Sequence, residues 1–255
     1  MTVPRTPRRS LRRRLADGES LRGALLRLPS ETLVEMAAVA GLDYVLIDCE
    51  HGPADTALLQ QHLWAAQAHG LDVLVRVGTG EPTLALRCLD LGAAGLVFPH
   101  VDSAEDARRA VAASHYPPLG ERGFATYSRS GRFGTVTAAE HVAASRETLV
   151  IAMIETRRAC EAAGEIAGTE GVDAVLVGPA DLAMDCGFPA PEVVGGLVGQ
   201  AHRATAENGR TVMAIVPGLA EARAAEEAGA RLVVFNTAQV LMDTFAALAR
   251  PAEAP

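Results

Sequence analysis

Four short segments carry the residues best suited to chemistry. Asp48-Cys49-Glu50-His51-Gly52-Pro53 sets two carboxylates and an imidazole within four positions, and Arg76 stands alone in the apolar run VLVRV. Glu155-Thr156 follows the run LVIAMI, and Gly178-Pro179-Ala180-Asp181 follows AVLV. If the last two segments adjoin, Glu155 and Asp181 can share one cation. Oxygen-only ligation with the remaining positions open suits Mg²⁺ or Mn²⁺, which keep waters and accept substrate oxygens. The plainer reading makes each acid a cap for the helix after it. His51, next to Glu50 and three residues after Asp48, reads as a general base oriented by a carboxylate or as a structural histidine. A guanidinium inside an apolar strand must find an anion, so Arg76 faces either an internal carboxylate or a substrate. Cys49 reads as a small core residue. No Ser or Cys nucleophile stands beside a base.

Composition narrows these options. The 255 residues contain no lysine, so all 23 basic residues are arginine. That excludes a Schiff-base lysine, and with it lysine-bound PLP, as well as Walker-type nucleotide chemistry. A net charge of −8 argues against nucleic acid as the partner. No apolar run approaches the ~20 residues of a membrane helix. Cys49, Cys88, Cys160 and Cys186 have neither disulfide-framework nor zinc spacing, so a reducing cytoplasm is the expected setting. Arg5, Arg8, Arg9, Arg12, Arg13 and Arg14 precede the first acid, Asp17, and no apolar segment makes this a secretory signal. The arm is expected to be a solvated lead into a first helix, or a contact for an acidic partner or a neighbouring subunit.

The elements that must position these residues alternate from end to end. Short apolar runs predict strands at Leu21–Leu28, Tyr44–Glu50, Val73–Gly78, Gly95–Val101, Leu149–Thr156, Ala174–Pro179, Thr211–Val216 and Arg231–Asn236. Several are apolar on both faces, as parallel strands covered by helices are. Helical patterns at Ser30–Ala40, Thr56–His69, Glu81–Leu91, Ser103–Ala113 and Leu219–Ala228 separate them. Ser103 with Asp106 resembles a capping box, and Gly41, Gly70, Gly92 and Gly229 stand where helices need a left-handed residue. Eight such units predict a (β/α)₈ barrel, with a doubly wound open sheet as the alternative. Gly195, Gly196 and Gly199 fall in a helical pattern with no strand before them, which argues against a phosphate loop. The division expected is 1–19 for the arm and first helix, 20–250 for one catalytic barrel and 251–255 for a tail. In such a barrel the chemical segments all fall at the C-terminal ends of strands. Pro99-His100, Pro217-Gly218 and Asn236-Thr237 fall there too, and the connection His115–Val136 is long enough to be functional or interfacial.

The segments LIDCEHGP, VRV, ALRCLDLGAAGLVFPHV, HYPPLGERG, MIET and VLVGPADL occur in the order seen in the HpcH/HpaI aldolases, and the chain resembles that family over roughly residues 20 to 249. The resemblance implies a modified (β/α)₈ barrel and a class II, metal-dependent pyruvate aldolase using Mg²⁺, Mn²⁺ or Co²⁺. It implies metal ligation by Glu155 and Asp181, and enolate stabilisation by Arg76. His51 becomes the acid–base residue with Asp48 as its partner, and Asp90 a further acid associated with that histidine across a subunit contact. Gly178, Pro179 and Ala180 become the turn that receives the substrate carboxylate. The family's last helix packs on a neighbouring subunit, which implies a hexamer built as a trimer of dimers. In this chain that helix is TAQVLMDTFAALAR, with Val240, Leu241, Phe245 and Leu248 on one apolar face.

Two departures bear on substrate. Met153 stands where the family commonly has Gln, and a thioether cannot donate the hydrogen bonds of an amide. Val77-Gly78 follows Arg76 where many members have Pro. Tyr127, Arg129 and Arg132 in the long connection point to an anionic electrophile or a biosynthetic role. The function expected is cleavage or formation of a 4-hydroxy-2-oxo acid from pyruvate enolate and an aldehyde. A citrate-synthase-like condensation using oxaloacetate on the same scaffold is the alternative. A non-catalytic barrel fits poorly, because the acids, Arg76 and His51 form a chemically coherent set.

Overall fold

Period-two alternation decides which side chains reach the barrel axis. The structure, a computed structural model, describes residues 9–52 and 55–249. Eight strands, β1 (Leu21–Leu26), β2 (Tyr44–Asp48), β3 (Asp72–Arg76), β4 (Gly95–Phe98), β5 (Leu149–Ile154), β6 (Ala174–Val177), β7 (Thr211–Val216) and β8 (Ala230–Asn236), pair in sequence order. All pairs are parallel and the ring is closed, so the open sheet is not formed. Leu21, Leu25, Tyr44, Leu46, Leu74, Leu149, Ile151, Met153 and Leu176 pack together inside. Their neighbours Ala24, Val45, Ile47, Val73 and Val75 pack outward under the helices. Gly23 lies on the inward parity and must be glycine because Tyr44 fills its space: a Cβ there would stand 2.4 Å from the Tyr44 ring. The Tyr44 hydroxyl donates to the Val233 carbonyl at 3.0 Å.

Twelve helices cover the ring and its lower end: α1 (Leu11–Ala16), α2 (Glu31–Val39), α3 (Thr56–His69), α4 (Pro82–Leu91), α5 (Ala104–Ser114), α6 (Ala138–Ser145), α7 (Arg157–Glu161), α8 (Ala163–Gly168), α9 (Pro179–Asp185), α10 (Pro191–Glu207), α11 (Leu219–Glu227) and α12 (Thr237–Ala249). Gly70 and Gly92 end α3 and α4 with φ of 65° and 100°, the left-handed conformation expected of them. Gly195, Gly196 and Gly199 lie inside α10. Ser103 caps α5 by accepting from the Asp106 N–H at 3.2 Å. Asp106 closes no reciprocal box: its carboxylate accepts from the Ser103 hydroxyl (2.6 Å) and the Asp102 N–H (3.3 Å). Its stem is one methylene shorter than that of glutamate. The reciprocal box forms instead at Thr137 and Glu140 of α6.

Six strands stop two or three residues short of the expected ends, so Glu50, His100 and Glu155 stand on the loops just past the ladder. Leu11 of α1 enters the interior cluster and closes the barrel floor. The arginines around it pair with acids of the same chain: Arg12 with Asp173 (2.8 Å), Arg13 with Glu147 (2.8 Å) and Arg14 with Asp43 (2.8 Å). Arg5, Arg8 and the tail 251–255 lie outside the described residues. All four cysteines are free, and among the described residues no helix is long and apolar enough to cross a membrane.

Candidate active site

The β2–β3 register sets Asp48 directly opposite Arg76, and strand alternation turns both inward. Arg76, only 3% exposed, donates from Nε to Asp48 Oδ1 (2.9 Å) and from Nη2 to Oδ2 (2.5 Å). This is a two-pronged, charge-assisted pair. Arg27, one residue past β1, adds a third bond from Nε to Asp48 Oδ2 at 2.8 Å. Burial opposes ionisation of Asp48, but hydrogen bonds from Arg76 and Arg27 and the Arg76 charge outweigh it and hold its pKa at about 2. Arg76 is thereby a fixed, permanently charged donor. Its Nη1 lies 3.2 Å from Glu50 Oε2 and 3.6 Å from the Met153 sulfur.

Asp48 does not hold the His51 ring. Its Oδ1 accepts the backbone N–H groups of Glu50 (3.1 Å) and His51 (3.2 Å), closing the turn after β2. With two guanidinium groups on the same carboxylate, no acceptor site is left for the imidazole. The His51 side chain is 58% exposed, with Nε2 3.9 Å from Glu50. Pro53, next in the same segment, lies outside the described residues. Cys49 faces the outer core, and burial pushes its thiol up to about 12.

Across the barrel, Glu155 follows β5 and is 2% exposed. Its Oε2 accepts the His100 N–H at 2.9 Å. Burial raises its pKa, and the charges of Asp181 and Glu50 raise it further against the opposing contacts of His100. Asp181 lies in the first turn of α9, and Gly178 caps that helix. Only glycine fits at 178, since a Cβ would come within 2.8 Å of Met153 and 2.9 Å of Glu155. Glu50 Oε2 is buried and accepts no hydrogen bond. Glu50 and Asp181 are near enough for their charges to act on Glu155, and carboxylate oxygens are the donor type that fits a hard divalent cation. Among the described residues no three metal-binding side chains close around one point.

Two residues that the sequence sets at strand ends without a role, His100 and Glu50, and one it does not single out, Arg27, belong to this site. His100, with a left-handed φ of 52°, sets its ring between Glu155 (3.4 Å) and Glu50 (3.7 Å). Glu50 itself is the link between Arg76 and the acids. Arg27 continues the inward parity of Leu21, Gly23 and Leu25, which was the available signal. Asp90, by contrast, is tied within its own chain to Arg122 of the long connection, Nη2 to Oδ1 at 2.7 Å. Arg122 also lies 4.8 Å from the Tyr116 ring, and Arg129 lies 5.9 Å from the Trp64 ring on α3. Arg129 thus stands over an aromatic face of α3, while Tyr127 is 82% exposed.

Residues 24–242 match the HpcH/HpaI aldolase/citrate lyase family. A pyruvate aldolase from Rhizobium etli is 40% identical over 192 residues, spanning 74% of this chain and 75% of its own. The crystal structure of an HpcH/HpaI aldolase from Desulfitobacterium hafniense superposes with a TM-score of 0.87 at 31% identity, covering 96% of this chain and 99% of that one. The citrate synthase SbnG superposes at 0.83 with 27% identity, covering 94% and 96%. The motifs, the closed barrel and these likenesses agree: the chain belongs to the HpcH/HpaI aldolase/citrate lyase family and is a carbon–carbon lyase.

Proposed function

We propose that the enzyme is a divalent-metal-dependent aldolase acting on 4-hydroxy-2-oxo acids, with pyruvate enolate and an aldehyde as the two halves. The observation that carries this reading is the Arg76–Asp48 fork facing the Glu155–Asp181 pair in a chain without lysine. Glu155 and Asp181 would hold the cation, which when bound supplies Lewis-acid stabilisation of developing negative charge. Arg76 presents N–H groups to the keto oxygen and holds the charge that collects there when the C3–C4 bond breaks. Asp48 fixes that guanidinium so that no reorganisation is needed at the moment of reaction. His51, whose ring has no carboxylate hydrogen bond among the described residues, takes the proton of the 4-hydroxyl as the aldehyde forms. The α9 turn at Gly178–Ala180 receives the substrate carboxylate on the Ala180 N–H, which has no partner within the helix, while Gly178 donates to the Ile154 carbonyl and Pro179 has no N–H. A reducing cytoplasm belongs to this reading on the strength of the four free thiols.

The likeness to a citrate synthase supports a second reading, condensation with oxaloacetate. Purified enzyme with Mn²⁺ is expected to release pyruvate from short 4-hydroxy-2-oxo acids. It is expected to release no thiol from acetyl-CoA with oxaloacetate. Thiol release without pyruvate release would reverse the assignment.

Assembly is part of the proposal. None of the side chains of α12 is buried, and Met242, Phe245 and Leu248 are 62%, 59% and 77% exposed. Thirteen residues with this much open apolar surface need a partner. We assign that partner as a second copy, with α12 exchanged in a hexamer built as a trimer of dimers, and with Asp90 approaching the neighbour's site. Light scattering at micromolar concentration is expected to give six times the 26.6 kDa chain mass. A fully active species at the single-chain mass would refute it.

A further inference from the structure

We propose that Arg27 selects the acceptor half of the substrate by binding an anionic group, a carboxylate, at the far end of the aldehyde. The inference rests on the aldolase reading above and extends it to the class of aldehyde. Arg27 and Arg76 share Asp48 Oδ2, at 2.8 and 2.5 Å, so their guanidinium groups stand side by side at the mouth of the barrel. Their free capacity differs. Arg76 is 3% exposed and commits Nε and Nη2 to Asp48, which leaves N–H capacity chiefly at Nη1, beside Glu50 and Met153, for the keto oxygen. Arg27 is 35% exposed and spends only Nε, so that among the described residues neither Nη nitrogen has a partner. Two Nη groups on one rigid plane form a fork matched to a carboxylate, and Asp48 holds that plane in place.

The neighbouring groups place this fork on the acceptor side. The turn carrying His51, the proposed base for the 4-hydroxyl, folds against it: a Cβ on Gly52 would stand 3.5 Å from the Arg27 Cα. The pyruvate half is bounded by Arg76 on one side of this fork and by Glu155 and Gly178, past β5 and β6, beyond it. A second carboxylate on the aldehyde would therefore meet Arg27 while its carbonyl carbon lies near His51. Arg129 and Arg132 of the long connection are not required for this recognition.

The test uses the metal-loaded enzyme with pyruvate and two aldehydes of similar length, succinic semialdehyde and butyraldehyde. Wild-type enzyme is expected to prefer the anionic aldehyde. In Arg27→Met the ratio of kcat/KM for the anionic over the neutral aldehyde should fall about 10- to 100-fold, the value of one charged hydrogen-bonding contact. Arg27→Lys keeps the charge without the fork and should fall between the two. An unchanged ratio, even with both rates lowered, would mean that Arg27 acts only through Asp48, and the proposal would be lost. A wild-type preference for butyraldehyde would overturn it as well. Failure of the wild type to exchange the methyl protons of pyruvate with solvent deuterium identifies a different fault, in the aldolase reading itself, and removes the proposal with it.

Discussion

Arg76→Lys is expected to lower kcat at least ~100-fold, of the order seen when one oxyanion donor is lost, with little change in KM or in the melting temperature. Lysine keeps the positive charge but offers one compact ammonium in place of a planar fork. It can satisfy one oxygen of Asp48 while Arg27 still serves Oδ2 and two backbone N–H groups still serve Oδ1. The buried carboxylate is therefore not stranded, and the barrel should hold. The donor aimed at the keto oxygen is lost. An effect on kcat with KM held marks an interaction made chiefly in the transition state. Solvent-deuterium exchange of the pyruvate methyl group isolates enolate formation from the aldehyde step and should fall in parallel. Should the variant unfold, Arg76 is a structural ion-pair partner and its enolate role has no support.

The fold was legible because alternation and helix punctuation are local. Leu46, Asp48, Leu74, Arg76, Ile151, Met153 and Glu155 share one parity along their strands, and the eightfold repeat supplied the closure. The expected strand ends run past the observed ladder because tails such as Cys49-Glu50, Pro99-His100 and Glu155-Thr156 leave the sheet where the chain turns toward the site, and no residue type marks that point. The chemistry at those ends was legible by residue type but not by partner. Asp48 and His51 are close in sequence, yet the carboxylate belongs to Arg76, 28 positions away in chain order. A register across β2 and β3 decides that, and no local pattern encodes it. His100 needed its left-handed backbone and two distant acids to become visible. Asp90 needed Arg122, 32 positions away, to reveal its tie to the long connection. The exposed apolar face of α12 was readable directly, because amphipathic spacing survives whether or not its partner is in the same chain.

Chelation is expected to abolish turnover, and Mn²⁺, Mg²⁺ or Co²⁺ to restore it, through Glu155 and Asp181. The argument is one of uncompensated charge. Glu155 is 2% exposed, burial disfavours its ionised form, and the charges of Asp181 and Glu50 disfavour it again. Among the described residues, His100 stands against these through its N–H and its ring, and Arg76 beyond Glu50. Acids placed so at strand ends are costly to the fold without a cation, and a cation that binds the native state alone offsets that cost. Two readouts therefore move in opposite senses in the Glu155→Gln, Asp181→Asn double variant. Turnover should disappear with or without added metal. Thermal stability in chelator should match or exceed that of the wild type, because the repulsion is gone, while the gain in melting temperature on adding Mn²⁺ should be lost. A fold damaged by the substitutions would instead melt lower in chelator, which separates ligand loss from collapse. Full activity of the double variant in chelator would leave the two carboxylates as helix caps and remove the metal from the mechanism.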